Sequence, residues 1–263
     1  MPLIEINDTV LHHDDRPADP DAADGRDILL LHSFGTSARV WQPMMPMLGR
    51  RHRVVALDAR NHGRSATTTA CSLDENVADV IELIGALGLV RPLIVGSSIG
   101  SLVATTVAHR APDLVGAVSV VGGAGHAPTV DPDLASAMRA MVSGLRDDPA
   151  ATIAAVVPGW FGPLVGPRVH DWVAEQIGEM RTEALAIAVD AIAADPRADL
   201  AELAVPVHYL HGTLDRIPVD IARESAALST SATVTVLDGV AHMPHIEMPG
   251  WFAGWLADRA DKK

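Results

Sequence analysis

The chain has 263 residues, of which 48% are hydrophobic, so it is long and apolar enough for one large α/β domain and is not a disordered chain. Its 33 acidic and 20 basic residues give a net charge of −13, which argues against nucleic acid or an anionic membrane surface as a partner. The single cysteine, Cys71, excludes an internal disulfide. We expect a cytoplasmic protein, because we find neither a signal peptide nor an apolar run of about 20 residues.

In the first half of the chain, buried strands alternate with helices. Residues 3–13 alternate loosely and predict one or two edge strands, whereas the acidic, Pro-rich segment 14–26 predicts a loop. Continuous apolar runs predict buried strands at 28–31, 53–57, 93–95 and 114–121. Helical periodicity predicts a helix at 73–88, and a second helix at about 99–110 follows the third buried strand.

After the fourth buried strand this alternation stops. Residues 127–200 have a helical character without buried strands. Apolar runs then predict strands at 205–210 and 233–237, and helices are predicted at about 219–228 and 249–261. The pattern predicts an α/β fold, with a mostly parallel sheet flanked by helices. We therefore expect a core made of residues 1–126 and 201–263, with a helical cap at 127–200 inserted between two strands of the same sheet.

A Gly-x-Ser-x-Gly pattern, Gly96-Ser97-Ser98-Ile99-Gly100, lies between the third buried strand and its helix. A strand, a sharp turn and a helix form the setting of a nucleophile elbow, in which small neighbours leave room for a strained serine. Ser98 is the central residue and the candidate nucleophile. The amide of Ile99 begins a helix and would face a developing oxyanion. The alternative is a Ser/Gly-rich turn with no chemistry.

A serine nucleophile needs a general base, and the base needs a carboxylate that orients it. Asp215 follows the predicted strand 205–210, and His242 follows the strand 233–237. Because the carboxyl ends of parallel strands meet at one edge of a sheet, Ser98, Asp215 and His242 can converge there. The rival side chains are Asp131 and Asp133 for the acid and His245 for the base, and Asp215 could instead be a surface partner of Arg216.

Five short segments, including the elbow, together form a sequence pattern that extends along most of the chain. They are His32-Ser33-Phe34-Gly35, Asp58-x-Arg60-Asn61-His62-Gly63-Arg64-Ser65, Gly96-Ser97-Ser98-Ile99-Gly100, His211-Gly212-x-x-Asp215 and His242-x-x-x-x-Glu247-x-Pro249. In this order they resemble the α/β-hydrolase family, and within it the small, lid-bearing esterases, lactonases and C–C hydrolases. The resemblance covers nearly the whole chain, least clearly the insertion. It implies a nucleophile at Ser98, an acid at Asp215, a base at His242, and an oxyanion hole from the amides of Phe34 and Ile99.

The first of these segments departs from the family pattern, which usually has glycine where this chain has Ser33. A serine at this place is similar to the enol-lactone hydrolases of aromatic-acid breakdown. Ser33 either donates its hydroxyl to the substrate or caps the turn. Trp160 and Phe161 likewise either line a substrate pocket or pack the cap onto the sheet.

These patterns predict a serine hydrolase that cleaves a small carboxylic ester or lactone through an acyl-enzyme at Ser98. We expect no cofactor, and we expect no metal because no His, Cys or carboxylate cluster has ligand spacing. An acyltransferase, a thioesterase, a C–C bond hydrolase or a peracid-forming enzyme would use the same triad, so these activities remain alternatives. A protein that binds a small ligand without turnover is a further alternative, and the sequence leaves open whether the chain forms a homodimer.

Overall fold

The computed structural model describes residues 2–21, 25–69, 71–123, 132–180 and 203–261. Within these ranges, eight strands form one sheet. They are β1 (Leu3–Ile6), β2 (Thr9–Arg16), β3 (Ile28–Leu31), β4 (Val54–Leu57), β5 (Leu93–Ser97), β6 (Ala117–Val121), β7 (Val207–Gly212) and β8 (Ala232–Leu237).

The strand order across the sheet is β1-β2-β4-β3-β5-β6-β7-β8. Strands β3 to β8 are parallel, while β1 and β2 join the sheet as antiparallel strands. The register pairs Leu31 with Gly96 and Ser97 with Val121, so β3, β5 and β6 end together. The predicted fold class, an α/β fold with a mostly parallel sheet, is confirmed.

Nine α-helices are described in the same ranges. They are α1 (Met45–Leu48), α2 (Leu73–Ala86), α3 (Ile99–Arg110), α4 (Pro132–Asp147), α5 (Pro149–Val156), α6 (Pro167–Gly178), α7 (Val219–Ala227), α8 (Pro244–Glu247) and α9 (Pro249–Ala260). Short 3₁₀ helices occupy Ala38–Trp41, Pro112–Leu114 and Val157–Trp160. None of the helices in the described ranges has the length and apolar character that crossing a membrane requires.

The sheet has a hydrophobic core on each face, which explains its continuous apolar strands. Alternate residues of β3 enter different cores, because successive side chains of a strand point to opposite faces. Ile28 and Leu30 pack on the side of Trp41 and α9, whereas Leu29 and Leu31 pack on the side of α2 and α3. This double burial holds the carboxyl edge of the sheet rigid beneath the loops that follow each strand.

Two predicted boundaries are wrong. The predicted loop 14–26 begins too early, because β2 continues to Arg16 and pairs with β4. The acidic residues Asp14 and Asp15 belong to this strand near the edge of the sheet. The carboxylate of Asp15 accepts a 2.7 Å hydrogen bond from the Arg53 guanidinium. The strand predicted at 114–121 begins only at Ala117, because Pro112 opens a 3₁₀ turn before it.

The described part of the predicted cap, residues 132–180, contains α4 to α6 and one 3₁₀ helix, and no strand was found within that range. The predicted cap boundaries at 127 and 200 lie outside the described residues, so the division into core and cap stays a prediction. Asp131, a rival for the acid, also lies outside them.

Candidate active site

The elbow between β5 and α3 holds Ser98 in a conformation that non-glycine residues rarely adopt, with φ 51° and ψ −113°. The amide of Ser98 donates to the Val121 carbonyl at 2.8 Å, which ties the turn to β6. A Cβ atom on Gly96 would overlap the Gly100 carbonyl, and one on Gly100 would come within 2.5 Å of the Leu31 carbonyl oxygen. The sequence therefore needs both glycines to let α3 start this close to the sheet.

The loops after β7 and β8 bring Asp215 and His242 together. Nδ1 of His242 lies 2.9 Å from Oδ2 of Asp215, and the carboxylate side chain is 1% exposed. The other carboxylate oxygen accepts a 2.9 Å hydrogen bond from the Ile217 amide. Because a carboxylate can only accept, Nδ1 carries the imidazole proton and Nε2 is left as the basic nitrogen.

The end of β6 connects this pair to the elbow. A Cβ atom on Gly122 would lie 2.7 Å from the His242 carbonyl oxygen and 3.2 Å from its Nδ1. A Cβ atom on the next residue, Gly123, would lie 3.0 Å from the Ser98 carbonyl oxygen. Two consecutive glycines thus lie close to the His242 loop and to the elbow. Ser98, Asp215 and His242 follow β5, β7 and β8 at the same edge of the sheet.

The loop after β3 fixes the direction of the Phe34 amide. The carbonyl of Ser33 accepts hydrogen bonds from His32 Nδ1 and Thr36 Oγ1, both at 2.8 Å, and from the Thr36 amide at 3.2 Å. In a trans peptide the N–H points opposite to the C=O. These donors therefore turn the Phe34 N–H away from the loop interior, and within the described part of the chain it has no acceptor.

Ile99 supplies a second free amide. It is the first residue of α3, where the N–H groups have no partner within the helix. Among the described residues the Ile99 amide has no other acceptor either. Two N–H groups, one on each side of the elbow, are therefore available to an anionic oxygen.

Ser33 is buried, and its hydroxyl lies 2.8 Å from the hydroxyl of Ser97. This hydrogen bond joins the loop after β3 to the residue that precedes Ser98. The hydroxyl is thus occupied by a protein partner, which favours the turn-fixing alternative for Ser33 over a contact with substrate.

The two aromatic residues predicted to bind substrate lie at the end of the 3₁₀ helix Val157–Trp160. Trp160 is half-buried and packs against the hydrophobic core that contains Trp41 and Phe252. Its carbonyl accepts a hydrogen bond from the His242 amide at 3.1 Å. Phe161 is buried and stacks on His170, with ring centroids 5.2 Å apart. The sequence pointed to the side chain of Trp160, whereas the contact with the His242 loop is made by its backbone carbonyl.

The rival base is placed in the core. His245 lies against the indole of Trp41 with ring centroids 4.4 Å apart, and neither ring nitrogen has a hydrogen-bond partner among the described residues. Burial lowers the pKa of His245 to about 3. Of the rival acids, Asp133 is exposed in the first turn of α4. The geometry therefore favours His242 and Asp215.

A mostly apolar cavity of about 60 Å³ adjoins the side chains of Phe34 and Ile99. His62 and Cys71 also line it. Burial lowers the pKa of His62 to about 3 and raises that of the Cys71 thiol, so both side chains are neutral at pH 7. Within the described residues, no three His, Cys, Asp or Glu side chains are grouped as a metal site requires.

Residues 28–255 match the alpha/beta hydrolase family. The chain belongs to the alpha/beta hydrolase family. This hydrolase is 30% identical over 247 residues to the pimeloyl-[acyl-carrier protein] methyl ester esterase of Sodalis glossinidius, covering 89% of this chain and 93% of the relative. It is 25% identical over 230 residues to 3-oxoadipate enol-lactonase 1 of Acinetobacter baylyi, covering 86% of this chain and 85% of the relative.

Among solved structures, an esterase from Exiguobacterium antarcticum superposes on the hydrolase with a TM-score of 0.88. The match covers 98% of each chain at 16% identity, and it concerns the fold alone. The predicted family and fold are confirmed, and the names of the two sequence relatives agree with the predicted class, a carboxylic ester hydrolase.

Proposed function

We propose that this protein hydrolyses a carboxylic ester or lactone through an acyl-enzyme at Ser98, with His242 as general base and Asp215 as the orienting acid. The observation that carries the proposal is the 2.9 Å hydrogen bond between Asp215 and His242 at the sheet edge where the strained Ser98 lies. In the neutral imidazole that bond places the proton on Nδ1, so the lone pair of Nε2 is the one that can act as general base.

In the first half of the reaction, Nε2 of His242 takes the proton of the Ser98 hydroxyl while its oxygen bonds to the substrate carbonyl carbon. The amides of Phe34 and Ile99 donate to the resulting oxyanion, and one such donor typically contributes about 3 kcal/mol. Asp215 stabilises the imidazolium. When the tetrahedral intermediate collapses, the bond to the leaving oxygen breaks, and His242 donates its proton to that oxygen.

In the second half, a water molecule attacks the acyl carbon on Ser98 while His242 accepts one of its protons. The second tetrahedral intermediate collapses by breaking the bond to the Ser98 oxygen, which takes the proton back from His242. The acid leaves and the free enzyme is restored. All the groups in this cycle belong to the chain, the substrate or water, so the cycle uses no cofactor.

The substrate class rests on the relatives. One is named as a methyl ester esterase and the other as an enol-lactonase, so both act on a carbonyl bonded to an oxygen leaving group. We assign a small-molecule ester or lactone to this chain, with an acyl group of small to medium size.

The experiment is a panel of p-nitrophenyl esters and lactones of graded acyl length, run with the wild-type protein and with Ser98→Ala. We expect turnover by the wild type and a loss of at least about 10⁴-fold in Ser98→Ala, with an unchanged circular dichroism spectrum. Ser119→Ala is the matched control, because Ser119 is a fully buried serine whose hydroxyl has no partner among the described residues. Full activity in Ser98→Ala would remove the proposal.

A further inference from the structure

Two links made of three hydrogen bonds join the His242 loop to residues 160–162 of the cap: one direct bond, and a pair of bonds that meet on the carboxylate of Glu247. Oε1 of Glu247 accepts the Ala241 amide at 2.9 Å, and Oε2 accepts the Gly162 amide at 2.9 Å. The third runs directly from the His242 amide to the Trp160 carbonyl at 3.1 Å. We call the first two, from Ala241 and Gly162 to Glu247, the Glu247 bridge.

Backbone amides donate to both oxygens of the Glu247 side chain. The residue ends α8 and is half-buried. Burial raises its pKa, while the hydrogen bonds from the Gly162 and Ala241 amides oppose that rise. Both carboxylate oxygens are used, one on each side of the bridge, and hydrogen bonds to a charged acceptor are stronger than those between neutral groups.

On the cap side of the bridge, the contact with Glu247 leaves no room for a side chain at position 162. A Cβ atom on Gly162 would lie 2.8 Å from Oε2 of Glu247 and 2.7 Å from the Gly239 carbonyl oxygen. Any other residue at this position would push the cap segment away from the loop after β8. Only glycine at position 162 lets this segment come so close to the loop after β8. The carboxylate that it contacts also accepts the amide of Ala241, the residue before His242.

We propose that Glu247 is a positioning residue that fastens residues 160–162 of the cap to the His242 loop, so that the cap holds the catalytic base in place. This inference rests on the proposed function, in which His242 is the base. The reaction as proposed gives Glu247 no contact with substrate. Its effect passes through the backbone of Ala241 and His242 to the imidazole, and a shift of the cap changes the alignment of the base.

Two variants test the bridge from opposite sides. Glu247→Gln keeps the shape but replaces one acceptor oxygen by an NH₂ group, which then faces an amide donor. Gly162→Ala leaves the carboxylate intact and displaces the cap segment. We expect each variant to lower kcat for the best p-nitrophenyl ester by about 10- to 100-fold with KM changed less than about threefold, because positioning of the base matters in the transition state.

The double variant separates positioning from general loss of stability. If both changes break one bridge, the double variant loses no more than the worse single variant, whereas independent defects multiply. Hydrogen exchange adds a readout that needs no substrate: the Ala241 amide exchanges faster in Gly162→Ala, which does not touch residue 241. Gly250→Ala is the control, since no atom lies within 4 Å of a Cβ added at Gly250.

Wild-type kcat in Glu247→Gln, multiplying losses, or unchanged exchange at Ala241 in Gly162→Ala would each overturn the role of Glu247 while leaving the hydrolase intact. A wild-type protein that turns over no ester or lactone would instead contradict the proposed function. The two failures are therefore distinguishable in the same set of measurements.

Discussion

Oδ2 of Asp215 lies 2.9 Å from Nδ1 of His242 and 3.5 Å from Nε2 of His211. His211 directs its Nε2 to the Ile217 carbonyl at 2.7 Å, so that nitrogen carries its proton toward a backbone acceptor. The short contact of the carboxylate is with the imidazole of His242. Asp215 therefore orients one histidine, and that histidine follows the last strand of the sheet, next to the elbow.

Asp215→Asn should lower kcat by about 10³- to 10⁴-fold without unfolding the protein, because an amide NH₂ facing Nδ1 stabilises the wrong tautomer of His242. Steady-state hydrolysis of a p-nitrophenyl ester measures the loss. The matched control is Asp133→Asn on the exposed first turn of α4, which should keep wild-type kcat. An Asp215→Asn enzyme within threefold of wild type would show that another group orients the base.

Gly122→Ala should impair both stability and turnover. Gly122 has φ 58°, and an added Cβ atom would lie 2.7 Å from the His242 carbonyl oxygen, so the His242 loop must move or the backbone must change. We expect a loss of about 1–3 kcal/mol in urea unfolding, together with a fall in kcat. Gly85→Ala is the control, because an added Cβ meets no atom within 4 Å in α2 and alanine favours the helix, so stability should rise by up to about 1 kcal/mol.

Thr36→Val tests the orientation of the Phe34 amide. The substitution keeps the shape of the side chain and removes the hydroxyl that donates to the Ser33 carbonyl at 2.8 Å. Because His32 and the Thr36 amide still hold the same carbonyl, we expect a moderate fall in kcat of about 3- to 10-fold with little change in KM. Loss of thermal stability with unchanged kcat would assign the hydroxyl to the fold alone.

The buried histidines predict a loss of stability in acid. Burial lowers the pKa of His245 to about 3, well below the value of about 6.5 in an unfolded chain. Below pH 6.5 the unfolded chain therefore binds a proton that the folded state does not, so the stability present above that pH declines as the pH falls toward 3. For one such histidine the loss between pH 7 and pH 5 is about 2 kcal/mol.

His245→Phe removes this contribution while keeping an aromatic ring between Trp41 and Phe252. The difference in unfolding free energy between pH 7 and pH 5, measured with urea, should be smaller in the variant by about 2 kcal/mol. His62 remains in the variant, where burial also lowers its pKa to about 3, so part of the acid sensitivity persists. An identical pH dependence in both proteins would contradict the assignment.

The sequence was informative where backbone geometry alone brings residues together. Apolar runs predicted the parallel strands, and each candidate for the triad follows one of them, so convergence at the carboxyl edge could be predicted without any side-chain contact. Ser98 was the most specific position, because a strand, two glycines and a helix leave few other conformations for the turn.

The sequence could not predict hydrogen-bond partners that depend on tertiary packing. Nothing local indicates that the Ser33 hydroxyl meets Ser97, or that Glu247 reaches Gly162, 85 positions away along the chain. The continuation of β2 to Arg16 was missed for a related reason. A strand near the edge of a sheet can present acidic side chains to solvent, so it lacks the apolar run that marks a buried strand.

The most direct test is to map the site of reaction with a fluorophosphonate, which bonds irreversibly to an activated serine. After brief exposure, peptide mass spectrometry should place one adduct on Ser98, and Asp215→Asn should label far more slowly, because His242 must remove the Ser98 proton as the bond forms. A protein that turns over esters while Ser98 stays unmodified, or one that carries the adduct on a different residue, would contradict the proposed mechanism.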